Sequence, residues 1–192
     1  MKPKVKINYK KLRPLSSTKN PFGSLVSSII YQQLSGKAAG TIQKRFLGLF
    51  KKLKNGYPTP EDVLKLSDEQ FRSVGVSSQK MGYLRDLAEK FIDGTIDTKK
   101  IPKMSDAEIK EHLIRVKGIG PWTADMFLIF ALNRPNILPV GDLAIVKGFQ
   151  KAWNLRTKPT EKKMRELARD FEGKHTYLSL HLWGIMDESK KE

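Results

Sequence analysis

The chain has 192 residues, 39% of them hydrophobic, with 36 Lys and Arg against 20 Asp and Glu for a formal net charge of +16. That length supports an apolar core in one domain or in two small subdomains, and the lack of cysteine excludes disulfides, thiolate zinc sites and cysteine-ligated iron–sulfur clusters. No apolar run approaches the roughly 18 residues of a membrane span, and so large a charge excess points to an anionic partner, nucleic acid before an anionic membrane surface, although a merely soluble basic protein also fits the charge alone.

Residues 1–21 read as a basic arm with Lys2, Lys4, Lys6, Lys10, Lys11 and Arg13. Alternation over Lys4–Ile7 predicts a short extended piece, and Pro14 and Pro21 argue against helix. The arm has no apolar stretch behind it and does not read as a secretory signal. From Phe22, apolar residues at Leu25, Val26, Ile29 and Ile30 follow a helical period, which ends in Tyr31-Gln-Gln-Leu-Ser-Gly36. A second helix is predicted from Lys37 to Leu53, with Ala38, Ile42, Phe46, Leu49 and Phe50 on one face. Thr59-Pro60-Glu61 reads as a capped helix start. Ser67 to Gln70 and Ser105 to Glu108 have capping-box spacing. A longer helix begins at Ser77 or Ser78, runs through Met81, Leu84, Leu87, Ala88 and Phe91, and stops at Asp93-Gly94.

The helix from Ser105 carries Ile109, Leu113, Ile114 and Val116 to a turn, Gly118-Ile119-Gly120. Pro121 then takes the first position of a helix predicted to reach about Leu132. Behind Leu138-Pro-Val-Gly, Asp142 heads a helix with Leu143, Ile145, Val146, Phe149 and Trp153. Thr160 caps the next, with Met164, Leu167, Ala168 and Phe171, and Gly173 breaks it. A last helix holds Tyr177, Leu180, Leu182, Trp183 and Met186. The predicted class is all-α with almost no strand. His112, His175 and His181 are not at metal-motif spacing and read as structural.

Between two helices, Gly118-Ile119-Gly120 leaves backbone N–H groups at a helix N-terminus, where dipole and donors favour an anion. Glycine supplies positive φ and lets a phosphate approach, and Lys117 adds attraction. The same turn also suits a plain corner between helices, and Asp142 also suits an ordinary N-cap.

The wider pattern is more specific. Val116-Lys-Gly-Ile-Gly-Pro-Trp-Thr-Ala124 resembles the helix–hairpin–helix of base-excision DNA glycosylases (the HhH-GPD superfamily). Leu138-Pro-Val-Gly-Asp-Leu143 resembles that superfamily's loop with its catalytic aspartate, 22 positions beyond Gly120. Ile29 to Ile42 and His175 to Trp183 are similar to segments of the 3-methyladenine DNA glycosylase II (AlkA-like) branch, so the resemblance covers about Phe22 to Trp183. It implies two small helical subdomains flanking a groove within residues 22–192, and double-stranded DNA carrying damaged bases as the partner. A monomer is the expected state, in the cytoplasm with the nucleoid (the nucleus in a eukaryote). The longer relatives' β-rich N-terminal domain has no counterpart here, as expected of a compact form.

By resemblance Asp142 is the catalytic carboxylate. Breaking an N-glycosidic bond gives the sugar oxocarbenium character, which a carboxylate stabilises while it orients water. The target base must flip out of the duplex, and the gap is expected to be filled from the Tyr31-Gln32-Gln33-Leu34 turn, by Gln33 above all. Gln33 also suits a plain helix end. Lys117, Gly118, Ile119, Gly120 and Thr123 are expected at the DNA backbone. Trp122 stands where strand-cutting relatives carry a Schiff-base lysine, which implies base removal alone, without lyase chemistry. Its indole would suit a cationic alkylated purine such as 3-methyladenine or 7-methylguanine, although a core tryptophan is also compatible.

Tyr31, Met126 and Lys174 are the other expected pocket residues. Met126 and Lys174 replace aromatics of AlkA-like enzymes, which puts a broad substrate range in doubt. No cofactor is expected beyond a monovalent cation at the hairpin, held in the family by backbone carbonyls that fall here on Ile114, Val116 and Ile119. The competing functions are a glycosylase for uracil, hypoxanthine or an oxidised purine, and a non-catalytic hairpin module that binds DNA.

Overall fold

A computed structural model describes residues 2–3, 20–51, 53–54 and 56–188 of the chain. Among these residues there are ten α-helices and no strand, only an isolated bridge between Lys54 and Tyr57. None of these helices is long and apolar enough to cross a membrane. The expected extended piece at Lys4–Ile7 lies outside the described residues, as does most of the basic arm. The arm's far boundary moves inward, because Pro21 opens α1 (Pro21–Tyr31) rather than opposing it. The Asn20 side chain accepts the Gly23 N–H at 2.9 Å as the cap, and proline's missing N–H is no loss at the first helical position.

The described residues form two compact units that divide between Phe127 and Leu128. The earlier unit contains α1, α2 (Gly36–Leu47), α3 (Pro60–Leu64), α4 (Asp68–Ser73), α5 (Ser78–Ile92), α6 (Asp106–Leu113) and α7 (Pro121–Met126). Reciprocal capping boxes open three of them, at Thr59, Ser67 and Ser105. Helix α5 packs against α1, α3 and α4. Helical spacing turns Phe22, Leu25, Val26, Ile29 and Ile30 of α1 inward, with Met81, Leu84, Leu87 and Ala88 of α5. Each large side chain so buried contributes about 1.5–3 kcal/mol of transfer free energy. Edge-on packing of Phe22 against Phe91, centroids 5.0 Å apart, and stacking of Phe46 on Phe71 extend this core.

Two expectations for this unit need correction. Helix α2 ends at Leu47, with Gly48 as its cap, not at Leu53. Of its expected face, Phe46 is buried and Ile42, Leu49 and Phe50 are half-buried, but Ala38 is exposed and Ala39 is buried in its place. Likewise α6 stops at Leu113, and Ile114 lies 49% exposed beyond it.

The helix from Pro121 also departs from expectation. After Met126 the backbone continues as π-helical turns from Phe127 to Ala131, which shifts the side-chain register late in the run. The later unit holds α8 (Leu143–Ala152), α9 (Glu161–Leu167) and α10 (His175–Glu188). Ile145, Phe149, Trp153, Met164, Leu167, Leu178 and Leu182 share one core. Helices α8 and α10 cross at Gly148, where an added Cβ would lie 2.9 Å from the Leu182 Cβ and 3.1 Å from its carbonyl oxygen.

Candidate nucleic-acid interface and active site

Four fixings, two of them from α5 and two within the segment itself, build the hairpin turn. Asp86 of α5, itself buried, accepts the Lys117 N–H at 2.8 Å. Gly118 adopts φ +79°, with the Tyr83 ring so close that a Cβ would lie 2.1 Å from it. The Ile119 N–H closes the turn onto the Val116 carbonyl at 3.0 Å, and both side chains are buried. Gly120 then caps α7 in extended conformation, φ −96° and ψ 179°, with no side-chain cap, and Pro121 follows as the first helical residue.

Only Gly118 therefore needs glycine's freedom at positive φ. A Cβ on Gly120 would meet nothing within 4 Å, so this backbone faces open space at a helix N-terminus, which suits an approaching anion. Lys117 keeps its ammonium exposed, 3.7 Å from Asp86. Thr123, expected at the DNA, is buried. The carbonyls of Ile114, Val116 and Ile119 all belong to this segment, and that of Val116 is already engaged within the turn.

The Tyr31–Leu34 turn is fastened to this hairpin. The Gln32 side-chain amide donates to the Gly118 carbonyl at 2.8 Å and to Thr123 Oγ1 at 3.1 Å. Lys80 Nζ donates to the carbonyls of Ile30 at 2.7 Å and Gln32 at 2.8 Å. Burial lowers the Lys80 pKa. At the tip, Gln33 has φ +56°, a region rarely adopted by residues other than glycine. Tyr31, Gln33 and Leu34 are exposed, and the Tyr31 hydroxyl lies beside Gly40 of α2. Gln32, expected to touch DNA, has its amide turned to the Gly118 carbonyl and Thr123.

Trp122 and Met126 lie one helical turn apart on α7, with Trp122 39% exposed, which removes the core-tryptophan reading. In the later unit, Asp142 Oδ1 accepts the Ile145 N–H at 2.9 Å as the cap of α8. The same oxygen accepts Trp183 Nε1–H at 3.1 Å. The Trp183 ring in turn stacks on Phe130, centroids 5.7 Å apart and planes 24° apart. The capping reading of Asp142 is thus correct, and the cap orients the carboxylate. Leu143 beside it is 58% exposed. Lys174 is exposed just ahead of α10.

Trp183 and Phe130 were missed as site residues. The Trp183 segment was recognisable by resemblance but carried no role, and Phe130 lies in the π-helical turns, whose register a 3.6-residue period does not predict. Of the three histidines, His175 Nε2 is bonded to the Ala168 carbonyl and His112 Nε2 accepts the Asp97 N–H at 3.4 Å. Among the described residues no three His, Asp or Glu side chains converge as metal ligands.

An all-helical chain with a glycine turn between helices and a helix headed by an oriented carboxylate has the features of a helix–hairpin–helix DNA-repair protein. Residues 26–172 match the HhH-GPD superfamily of base excision DNA repair proteins, and the chain belongs to that family. It is 38% identical over 156 residues to DNA-3-methyladenine glycosylase 1 of Schizosaccharomyces pombe, covering 80% of this chain and 67% of that protein. It is 32% identical over 173 residues to the Bacillus subtilis protein YfjP, covering 88% of this chain but only 60% of that relative's length. The solved structure of the Schizosaccharomyces pombe enzyme Mag1 in complex with abasic DNA superposes with a TM-score of 0.79 at 34% identity, over 92% of this chain and 84% of that one.

Proposed function

We propose that this protein is a monofunctional DNA glycosylase that removes alkylated purines, of the 3-methyladenine and 7-methylguanine type, and leaves an abasic site. The observation that carries the reading is Asp142, a carboxylate oriented by its own helix and by Trp183, in a chain whose similar relatives are named for that activity. Double-stranded DNA with a damaged base is the proposed partner, bound by a monomer.

In this reading the N–H groups at the head of α7 take a backbone phosphate, a contact that positions without reading sequence. Gln33 fills the space left by the flipped nucleotide. As the bond from C1′ to the base breaks, its electron pair leaves with the base. A methylated, cationic purine departs neutral. The Asp142 carboxylate stabilises the positive charge on the sugar and orients the water that adds to C1′; that water's proton passes to the carboxylate or to solvent. Trp122, where a lysine would form a Schiff base, has no amine to attack the sugar, and its exposed face suits a cationic base.

Met126 and Lys174 in place of aromatics favour a narrower substrate range. Uracil, hypoxanthine and oxidised purines remain the competing substrates, and pocket residues rather than fold decide among them. A monovalent cation fits the hairpin only through neutral carbonyl oxygens, the donor type that replaces an alkali ion's hydration shell; Ile114, Val116 and Ile119 would supply them and the ion would brace the turn.

The test is base release from duplexes each carrying one defined lesion. Release of methylated purines with strands intact until alkali treatment is expected. Strand cleavage before alkali would contradict the monofunctional reading, and release of uracil or an oxidised purine alone would contradict the substrate.

A further inference from the structure

Helix α5 presents Lys80, Tyr83 and Asp86 three residues apart, neighbours along one helical face. Each meets a different part of two turns. Lys80 Nζ bonds the carbonyls of Ile30 and Gln32, on either side of Tyr31. The ring of Tyr83 lies against Gly118. Asp86 accepts the Lys117 N–H. Gln32 then joins the two turns directly through the Gly118 carbonyl and Thr123 Oγ1.

We propose that α5 is an alignment element for lesion recognition: Lys80, acting with Gln32, holds the Tyr31–Leu34 turn in fixed register with the hairpin, so that Gln33 is set to enter the base stack before a lesion is met. This rests on the glycosylase reading and on Gln33 as the wedge. Lys80 and Gln32 are positioning residues and touch no substrate.

A lysine that only capped α1 could leave its carbonyls to water. Here an ammonium is drawn into a half-buried position, against the cost of desolvation, to make two charge-assisted bonds. These bonds pin the backbone on both sides of a residue whose side chain is exposed, just ahead of a glutamine at positive φ. The backbone is thus constrained where the side chains are free to meet another molecule. A wedge that must force bases apart gains from such preorganisation, because a turn that ordered only on contact would lose the ordering entropy at that moment. The Asp86 bond to Lys117 and the Tyr83 ring against Gly118 fix the same helix to the phosphate-facing turn, so the wedge depth is set relative to the DNA backbone.

The test compares single-turnover release of 7-methylguanine from two substrates, one with the lesion paired and one with it opposite a baseless spacer. Lys80→Met keeps the aliphatic stem and removes the donors. It is expected to lower the paired-to-unpaired rate ratio about tenfold, the equivalent of losing one charged hydrogen bond, and Lys80→Arg should restore most of that ratio. Gln32→Met should show the same fall, and it carries the test if Lys80→Met does not fold. Gln33→Ala serves as the reference for a lost wedge. A ratio lowered in Gln33→Ala but unchanged in both Lys80→Met and Gln32→Met overturns the alignment role and leaves the wedge standing. Equal slowing on both substrates shows a structural role only and also overturns it. An unchanged ratio in Gln33→Ala overturns the wedge reading and this proposal with it, and no release by the unaltered protein from either substrate overturns both along with the reading of the protein as a glycosylase for alkylated purines.

Discussion

The two turns to which the proposed function assigns binding and chemistry are held in opposite ways. The hairpin at Gly118 is held from a distance, by the Tyr83 ring, the Asp86 carboxylate and the Gln32 amide, all far away in sequence. The carboxylate at Asp142 is held by its own helix, through the Ile145 N–H three residues on, and also by the distant Trp183. A turn that grips a backbone presents main-chain groups, which its own side chains cannot orient, so the surrounding fold must do so. A carboxylate at a helix start is oriented by the cap it makes, and the tertiary partner refines it. Damage to the hairpin should therefore appear as lost stability together with lost DNA binding. Damage around Asp142 should appear in catalysis.

The sharpest contrast is at Gly118. Gly118→Ala forces a left-handed backbone, about 1–2 kcal/mol, and drives a methyl into the Tyr83 ring, an overpacking of about 1–3 kcal/mol more. A lower melting temperature and weaker binding to any duplex are expected, and Tyr83→Ala in the same chain should restore part of the stability. Thermal melts of the two variants separate the steric share from the backbone share. Trp183→Phe keeps an aromatic ring against Phe130 but removes the donor to Asp142. Its excision rate should fall about tenfold, the scale of a hydrogen bond to a charged group, with duplex affinity unchanged. A matching fall in affinity would place Trp183 in binding instead.

Gly120→Ala is the smaller counterpart of Gly118→Ala. Its Cβ meets nothing and its φ suits any residue, so stability should change by less than about 0.5 kcal/mol, while duplex affinity falls if a phosphate lies close. The least effect is expected at His112, in the last turn of α6. Burial, then Arg115 and Lys100, lower its pKa below the ordinary 6.5. The folded state thus favours the neutral ring, which accepts the Asp97 N–H. The unfolded chain takes up the proton first, so this contribution is present above about pH 6.5 and declines as pH falls from there towards the folded pKa. Melting against pH, with and without His112→Gln, checks the sign.

The same contrast explains what could be read in advance. Caps act over three residues, so Thr59, Ser67, Ser105, Thr160 and Asp142 were recognisable as helix starts. Proline at Pro121 marked the helix after the hairpin for the same local reason, although at Pro21 its helix-starting role was mistaken for helix-breaking. Long-range fixings were not legible. Nothing near Lys80 signals that its ammonium closes on carbonyls some fifty positions earlier, and nothing near Gln32 signals a bond across 86 positions to Gly118. The resemblance named Gln32 for DNA because it named the whole turn; its amide faces the hairpin. Periodicity failed where its premise did, at the π-helical turns that carry Phe130 and at α2, where Ala38 and Ala39 are equally apolar and burial chose the second.

In the proposed function Asp142 performs the chemistry while the hairpin performs the binding. Asp142→Asn keeps an oxygen to cap α8 and to accept from Trp183, and removes only the charge. Single-turnover release of 7-methylguanine should drop at least about a hundredfold, the scale of a lost transition-state electrostatic contact, with the affinity for the lesion duplex and the melting temperature nearly unchanged. Base release at the unaltered rate in Asp142→Asn would contradict the account.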